Sequence, residues 1–96
     1  MVVAIAIFPF TEEKERDARR GLEKNLEWGK NQPGHIKSFI ALSQDGSNRF
    51  LVYSEWKREE DFIAVKRKLM GRGVEEMEEL FDWMDGEPLY GNFKVL

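Results

Sequence analysis

Two apolar runs in the middle of the chain, joined by a loop that contains Asp-Gly, constrain the fold most strongly. Residues 35–42 and 49–56 each alternate between two faces, as the side chains of a β-strand do. An Asp-Gly pair between such runs is a strong hairpin signal. Pro33-Gly34, just ahead of the first run, is a turn signal. The sequence therefore predicts a central antiparallel hairpin that ends at Trp56.

The alternation also assigns side chains to the two faces of this hairpin. On the first strand we expect Ser38 on one face and His35 on the other. On the second strand one face carries Phe50, Val52, Ser54 and Trp56, and the other carries Leu51, Tyr53 and Glu55. If Trp56 is buried, its indole N–H needs an acceptor, which Ser54 or a backbone carbonyl could supply.

The flanking sequence predicts one more strand on each side of the hairpin and three helices. A short apolar run over residues 2–10 predicts the first strand. Thr11 is a plausible N-cap for a helix that should reach about Asn31, before the Pro-Gly turn. Two further helices are expected over residues 57–70 and 74–85, and a last strand over 88–96.

The apolar stripes of these helices indicate which faces are buried. The first stripe is thin: Ala18, Leu22 and Leu26, with Gly29 in line. Small residues there either bring the helix close to the sheet or leave a gap for a ligand, and we favour close packing. On the last helix, the residues at core spacing are Met77, Leu80, Phe81 and Met84. Trp83 lies off that stripe and is a candidate interface residue. A solvated face carries Glu75, Glu78, Glu79 and Asp82.

The resulting order, βαββααβ, predicts a single α+β domain over residues 1–96 with a ferredoxin-like antiparallel sheet. Helices cover one face of such a sheet and leave the other bare. An exposed apolar sheet face is a partner site, so we expect a homodimer in which two sheets pack face to face.

Composition excludes several classes of function. A net charge of −3 is too mild to imply a nucleic-acid or membrane partner. With no cysteine and one histidine, the chain has neither thiolate chemistry nor a multi-histidine metal site. The apolar run at residues 2–8 lacks a basic leader and a cleavage site, so a cytoplasmic protein is expected.

An ordered set of residues in the central region resembles the antibiotic biosynthesis monooxygenase domain. It comprises Pro33-Gly34-His35, Phe39, Asn48-Arg49-Phe50, Tyr53, Glu55-Trp56 and Glu59-Glu60-Asp61-Phe62. The resemblance implies a dimeric α+β barrel. It also implies, as one activity of the family, a cofactor-free monooxygenase that binds an electron-rich aromatic or quinol and lets the substrate itself reduce dioxygen.

On that hypothesis Trp56 and Phe62 shape a substrate pocket, together with Val52 and Val65. His35, Tyr53 or Asn25 supplies the polar group for a substrate hydroxyl, and His35 and Tyr53 are the candidate catalytic residues. His35 is the only side chain with an ordinary pKa near neutrality, so it is the ready-made general base. We nevertheless favour the interpretation in which it is an exposed residue at the start of a strand. For Trp56 we favour a role as a core residue beside Phe62 over a role in stacking on a ligand.

Three positions leave a second hypothesis open. Some aromatic-oxidising members of the family carry asparagine and tyrosine where this chain has Val52 and Phe62. Haem-degrading members carry tryptophan where it has Val65, so haem handling ranks low. The alternative is therefore a non-catalytic dimeric module for small-molecule binding or assembly. An open cavity with converging polar groups would favour the enzyme, and a cavity filled by side chains would favour the module.

Overall fold

A computed structural model describes the backbone of residues 1–72 and 74–96 and the side chains of residues 1–69 and 79–96. Its elements are β1 (Val2–Pro9), α1 (Glu15–Lys30), β2 (His35–Leu42), β3 (Arg49–Trp56), α2 (Glu59–Arg72), α3 (Val74–Trp83) and β4 (Leu89–Lys94). The predicted order βαββααβ is confirmed, and each predicted boundary lies within two residues of the observed one, apart from the start of α1. No helix in the described ranges is long and apolar enough to cross a membrane.

The four strands form one antiparallel sheet in the order β2-β3-β1-β4. Strands β1 and β3 are central, and the hairpin partner β2 and the last strand β4 are the edges. This arrangement is the predicted ferredoxin-like α+β fold, with α1, α2 and α3 on one face of the sheet.

The packed core lies at one end of the layer between sheet and helices. Phe8 and Phe50 are cross-strand partners on β1 and β3, and Phe10 meets Phe50 edge to face with ring centroids 5.9 Å apart. Ala18 and Leu22 of α1 and Leu80 of α3 complete this cluster. Burial of these large aromatic side chains stabilises the packing of the helices on the sheet.

The start of α1 differs from the prediction. Thr11 makes no side-chain cap; instead its carbonyl accepts a hydrogen bond from the Lys14 N–H at 3.0 Å, which closes a 3₁₀ turn over Glu12–Lys14. The α-helix begins only at Glu15. The first turn is acidic, as expected for the positive end of the helix dipole.

The predicted faces of α3 are partly wrong. Phe81, expected in the core, is 46% exposed, whereas Trp83 packs against the core cluster and lies under the Lys14 ammonium at 5.6 Å. Leu80 is buried and Met84 is half-buried, as predicted. The side chains of Met77, Glu75 and Glu78 lie outside the described residues, while Glu79 and Asp82 are exposed.

A β-bulge in β2 overturns the predicted face of His35. His35 is opposite Trp56 and Lys37 is opposite Glu55, so β2 advances two residues where β3 advances one. The extra residue, Ile36, moves His35 onto the helix-covered face that Ser38 and Trp56 occupy. Strict alternation cannot reveal such a bulge, because one inserted residue reverses every side chain on one side of it.

The bare face of the sheet is apolar, as the sequence predicts. Phe39 and Tyr53 stack there with centroids 4.7 Å apart, and the Tyr53 hydroxyl donates to Glu55 at 2.9 Å. At the β4 edge, Leu89 and Phe93 are more than half exposed.

Candidate functional site

A cavity of about 710 Å³ lies between the sheet and the helices, between the phenylalanine cluster and Trp56. This volume is within the usual range for small-molecule sites. Its walls are mainly apolar: Leu22 and Leu26 of α1, Val52 of β3, Phe62, Val65 and Leu69 of α2, and Phe81 of α3. These walls would suit the apolar part of a ligand.

The cavity exists because several residues of its floor and roof have small side chains or none. On the floor, Ala4 and Ala6 of β1 are opposite Ser54 and Val52 of β3, next to the bulky Phe8–Phe50 pair. In the roof, a Cβ on Gly29 would meet nothing within 4 Å. The close packing that the sequence favoured for this stripe of α1 holds at Ala18 and Leu22 but is wrong at Gly29.

Trp56 closes one end of the cavity and is held by a hydrogen bond and by ring contacts. It is 3% exposed, and its indole N–H donates to the Ser54 hydroxyl at 2.9 Å, which confirms the predicted acceptor. Phe62 of α2 lies against it, with ring centroids 6.3 Å apart. Trp56 is thus both a core residue, as favoured, and part of the cavity wall.

His35 lines the cavity beside Trp56, rather than lying exposed at the strand start. Its Nε2 is 2.9 Å from the Ser38 hydroxyl, and its ring meets the edge of Trp56 at 5.3 Å between centroids. Burial, and next the Lys30 ammonium, lower the pKa of the imidazole below its usual 6.5. The ring is therefore neutral at pH 7 and able to accept a proton. When Nε2 donates to Ser38, Nδ1 is the basic nitrogen.

Further polar groups lie at intervals around the apolar chamber. Ser38 and Ser54 are cross-strand partners on the floor, close to His35. Tyr90 and Asn92 of β4 lie on the opposite side of the Ala4–Ala6 floor, in register with Ala6 and Ala4. Asn25 of α1 and Lys66 of α2 belong to the helical side. A ligand held here meets hydrogen-bonding groups at both edges of the floor.

Six of the seven sequence-predicted site residues line this one cavity: His35, Trp56, Phe62, Asn25, Val52 and Val65. Tyr53 does not. It lies on the bare face of the sheet, where its hydrogen bond to Glu55 is the main cause that raises the pKa of its hydroxyl. The other tyrosine of the chain, Tyr90, lies on the helix face, edge to face with Phe8 at 5.9 Å.

Sequence reasoning missed Ser38, Tyr90, Asn92 and Lys66 as cavity residues. Ser38 and Ser54 carried a usable signal, since both are small polar residues on the predicted inner face of the hairpin. Tyr90 and Asn92 carried none, because the inner face of β4 is fixed by its register with β1. Among the described residues, no three histidine or carboxylate side chains converge as metal ligands would.

A ferredoxin-like α+β domain with a half-open, mainly apolar cavity against its sheet is typical of a class of proteins with small-molecule sites. Within that class, the model of the antibiotic biosynthesis monooxygenase family matches residues 1–68. The chain therefore belongs to this family, as its central residues predicted. No sequence match is found among curated proteins.

Solved structures share the whole fold at low sequence identity. A candidate antibiotic biosynthesis monooxygenase from Nitrosomonas europaea is 23% identical, with a TM-score of 0.86 over 100% of this chain and 99% of that chain. SnoaB, a cofactor-independent oxygenase from Streptomyces nogalater, is 14% identical, with a TM-score of 0.81 over 99% and 92% of the two chains. A conserved protein from Methanosarcina mazei is 15% identical, with a TM-score of 0.84 over 97% and 90%. At these identities the likeness establishes the fold.

Proposed function

We propose that the protein is a cofactor-independent monooxygenase that oxidises a small flat aromatic of the anthrone or quinol type. One observation carries the proposal: a neutral imidazole, oriented by Ser38, lies in an apolar chamber of about 710 Å³ closed by Trp56. Family membership and the fold shared with a cofactor-independent oxygenase support the same chemistry.

In the proposed reaction of an anthrone, His35 accepts a proton from the acidic C–H or O–H of the substrate. The resulting anion reduces dioxygen, and the methylene carbon forms a bond to one oxygen atom. The O–O bond then breaks, that carbon becomes a carbonyl, and the other oxygen leaves as water with the two displaced hydrogens. The substrate supplies all four electrons, so the equation anthrone + O₂ → anthraquinone + H₂O balances without a further reductant.

The cavity suits this chemistry because its mainly apolar walls would displace part of the water around a bound ligand. Ser38 and Ser54 can donate hydrogen bonds to an oxygen that gains negative charge, and such bonds are stronger beside apolar walls than in bulk water. The aromatic wall that Trp56 and Phe62 form would restrict the orientations of a planar ring.

A second candidate function is a non-catalytic binding module. The observation that favours it is that Val52, Phe62 and Val65 present only apolar groups to the cavity. On this alternative the chamber binds an aromatic compound without transforming it.

The bare sheet face supports a proposed homodimer. Residues from all four strands form an apolar surface there, including Phe39, Leu51, Ile5 and Phe93. Pairing two such faces would give the α+β barrel of the family and would place the Tyr53–Glu55 pairs inside it.

Oxygen uptake with an anthrone and a quinol, alongside tryptophan-fluorescence titration, tests the proposal. We expect His35→Gln to lower kcat by about 100-fold or more, since general-base catalysis contributes on that order. Tyr53→Phe is the matched control, because it alters the other candidate residue on the opposite face, and we expect less than a twofold change. Saturable quenching without any oxygen uptake would instead establish the binding module.

A further inference from the structure

We propose that the cavity selects ligands that carry an anionic group, and that Lys66 binds this group. The inference rests on the proposed function only in taking the chamber as a ligand site. It adds the charge of the ligand, which neither the family nor the fold assigns.

The charge of the cavity wall is opposite to that of the whole protein. The chain has 18 acidic residues against 15 lysines and arginines. Yet among the described residues that line the cavity there is no aspartate or glutamate, and Lys66 is the one lysine or arginine. His35 is neutral at pH 7, so the described wall carries a single positive charge.

Lys66 also lacks a partner within the described part of the chain. The basic residues around it are engaged or lie off the cavity: Lys68 donates to Gln32 at 3.2 Å, and Arg58 pairs with Asp61 at 3.2 Å. No carboxylate of the described residues lies within ion-pair distance of the Lys66 ammonium. A ligand anion would therefore meet a cation that has no internal salt bridge to break.

Lys66 lies away from His35, so an anionic group bound to Lys66 would not occupy the place where the proposed reaction occurs. Strand β3 ends at Trp56 and α2 begins close by at Glu59, so residues further along α2 lie further from Trp56 and His35. Lys66 is four residues beyond Phe62, which is one helical turn or about 6 Å along the axis. A ring that contacts Phe62 and reaches His35 with one edge would thus present its other edge to Lys66.

The physical reason for selection is an ion pair that only a charged ligand can form with Lys66. Lys66 reaches the cavity from an exposed position, so its ammonium stays hydrated and an ion pair there is worth a modest amount. A neutral group of the same shape gains nothing from it. The protein as a whole is negative and repels anions weakly, and the Lys30 ammonium near His35 is paired with Glu27. A charged ligand and a neutral ligand of the same shape should therefore differ mainly in their interaction with Lys66.

The test compares two probes of nearly equal shape, anthracene-9-carboxylate and 9-(hydroxymethyl)anthracene, by isothermal titration calorimetry at pH 8. At that pH His35 is neutral and contributes no charge. We expect the wild type to bind the carboxylate about fivefold more tightly, and Lys66→Met to abolish this preference mainly by weakening the binding of the carboxylate, since methionine keeps an apolar stem. Lys68→Met removes an equal charge from the same helix and should keep the preference.

Raising the salt concentration should weaken binding of the carboxylate and not of the alcohol, because ions screen an exposed pair. Equal affinity of the wild type for both probes, or a preference that survives in Lys66→Met, would overturn the inference and leave the proposed ligand site intact. Binding of neither probe would overturn both. A circular-dichroism melt of each variant verifies that it is folded.

Discussion

At the scale of single residues, the candidate site depends on the environment of His35. Its identity as the one side chain that titrates near neutrality could be predicted from composition alone. Its position could not, because the bulge at Ile36 is a property of the β2–β3 register and leaves no mark on the alternating pattern. By contrast, the Trp56–Ser54 hydrogen bond could be predicted, since residues two apart on a strand share a face.

We expect His35 to titrate below pH 6.5, because burial and the positive charge of Lys30 both disfavour the imidazolium. Replacing Lys30 by methionine should raise the pKa, while Arg19→Met, about 16 Å earlier along the same helix, should leave it unchanged. The single histidine gives one unambiguous imidazole resonance, so NMR titration measures the pKa directly. A wild-type pKa at or above 6.5 would contradict the buried environment described for the ring.

The same shift has a consequence for stability. A lowered pKa means that the unfolded chain binds the proton more readily than the native protein does. The contribution of His35 to stability is therefore fully present above pH 6.5 and is lost as pH falls from 6.5 through the lower native pKa. In His35→Gln this part of the pH dependence should disappear from urea-denaturation curves.

At the scale of elements, the Pro33-Gly34 turn before β2 packs against the start of α2. Gly34 has a positive φ of 83°, and the Asp61 carboxylate of α2 occupies the space where a Cβ would lie. Arg58 donates two hydrogen bonds to that carboxylate, at 3.2 and 3.3 Å, and these are the main cause that lowers the pKa of Asp61. The Lys57 N–H donates to the Gly34 carbonyl at 2.9 Å. The turn signal could be predicted from Pro33-Gly34, whereas its contact with Asp61, 27 positions later, is tertiary.

Gly34→Ala should therefore destabilise the protein through two separate effects. A positive φ alone costs an alanine about 1 kcal/mol, and Gly46 isolates that effect, because its φ is 78° and an added Cβ would meet no atom within 4 Å. We expect Gly34→Ala to lower the free energy of unfolding by roughly 2 kcal/mol more than Gly46→Ala, because the clash with Asp61 is added. Equal losses in urea denaturation would show that Asp61 moves aside freely.

At the scale of the whole molecule, the helices cover one face of the sheet and leave the other bare, and the two faces have different roles. The covered face holds the packed phenylalanine cluster at one end and the cavity at the other. The bare face exposes apolar side chains, whose contact with water is unfavourable. Element order predicted both surfaces. The cavity itself depends on Gly29 of α1 and the Ala4–Ala6 floor of the sheet lining the same space. Their juxtaposition is set by the tertiary packing of α1 against the sheet.

We expect the wild type to sediment as a dimer at micromolar concentration. Phe93→Lys should raise the dimer Kd roughly tenfold or more, because it places a charge in the proposed apolar interface. Leu42→Lys is the matched control: Leu42 is 42% exposed, against 55% for Phe93, but it belongs to the helix-covered side of β2. Analytical ultracentrifugation decides, and a monomeric wild type or equal effects of the two substitutions would exclude this interface.

The bulge in β2 also bears on how the protein behaves at high concentration. Strand β2 is an edge of the sheet, and it exposes Ile36, Phe39 and Leu42. A regular edge of that kind offers a template on which strands of other molecules can add, and a bulge interrupts the template. The inserted residue that turns His35 toward the cavity thus also guards against aggregation. Because one inserted residue has both effects, we expect deletion of Ile36 to turn His35 away from the cavity and to increase aggregation.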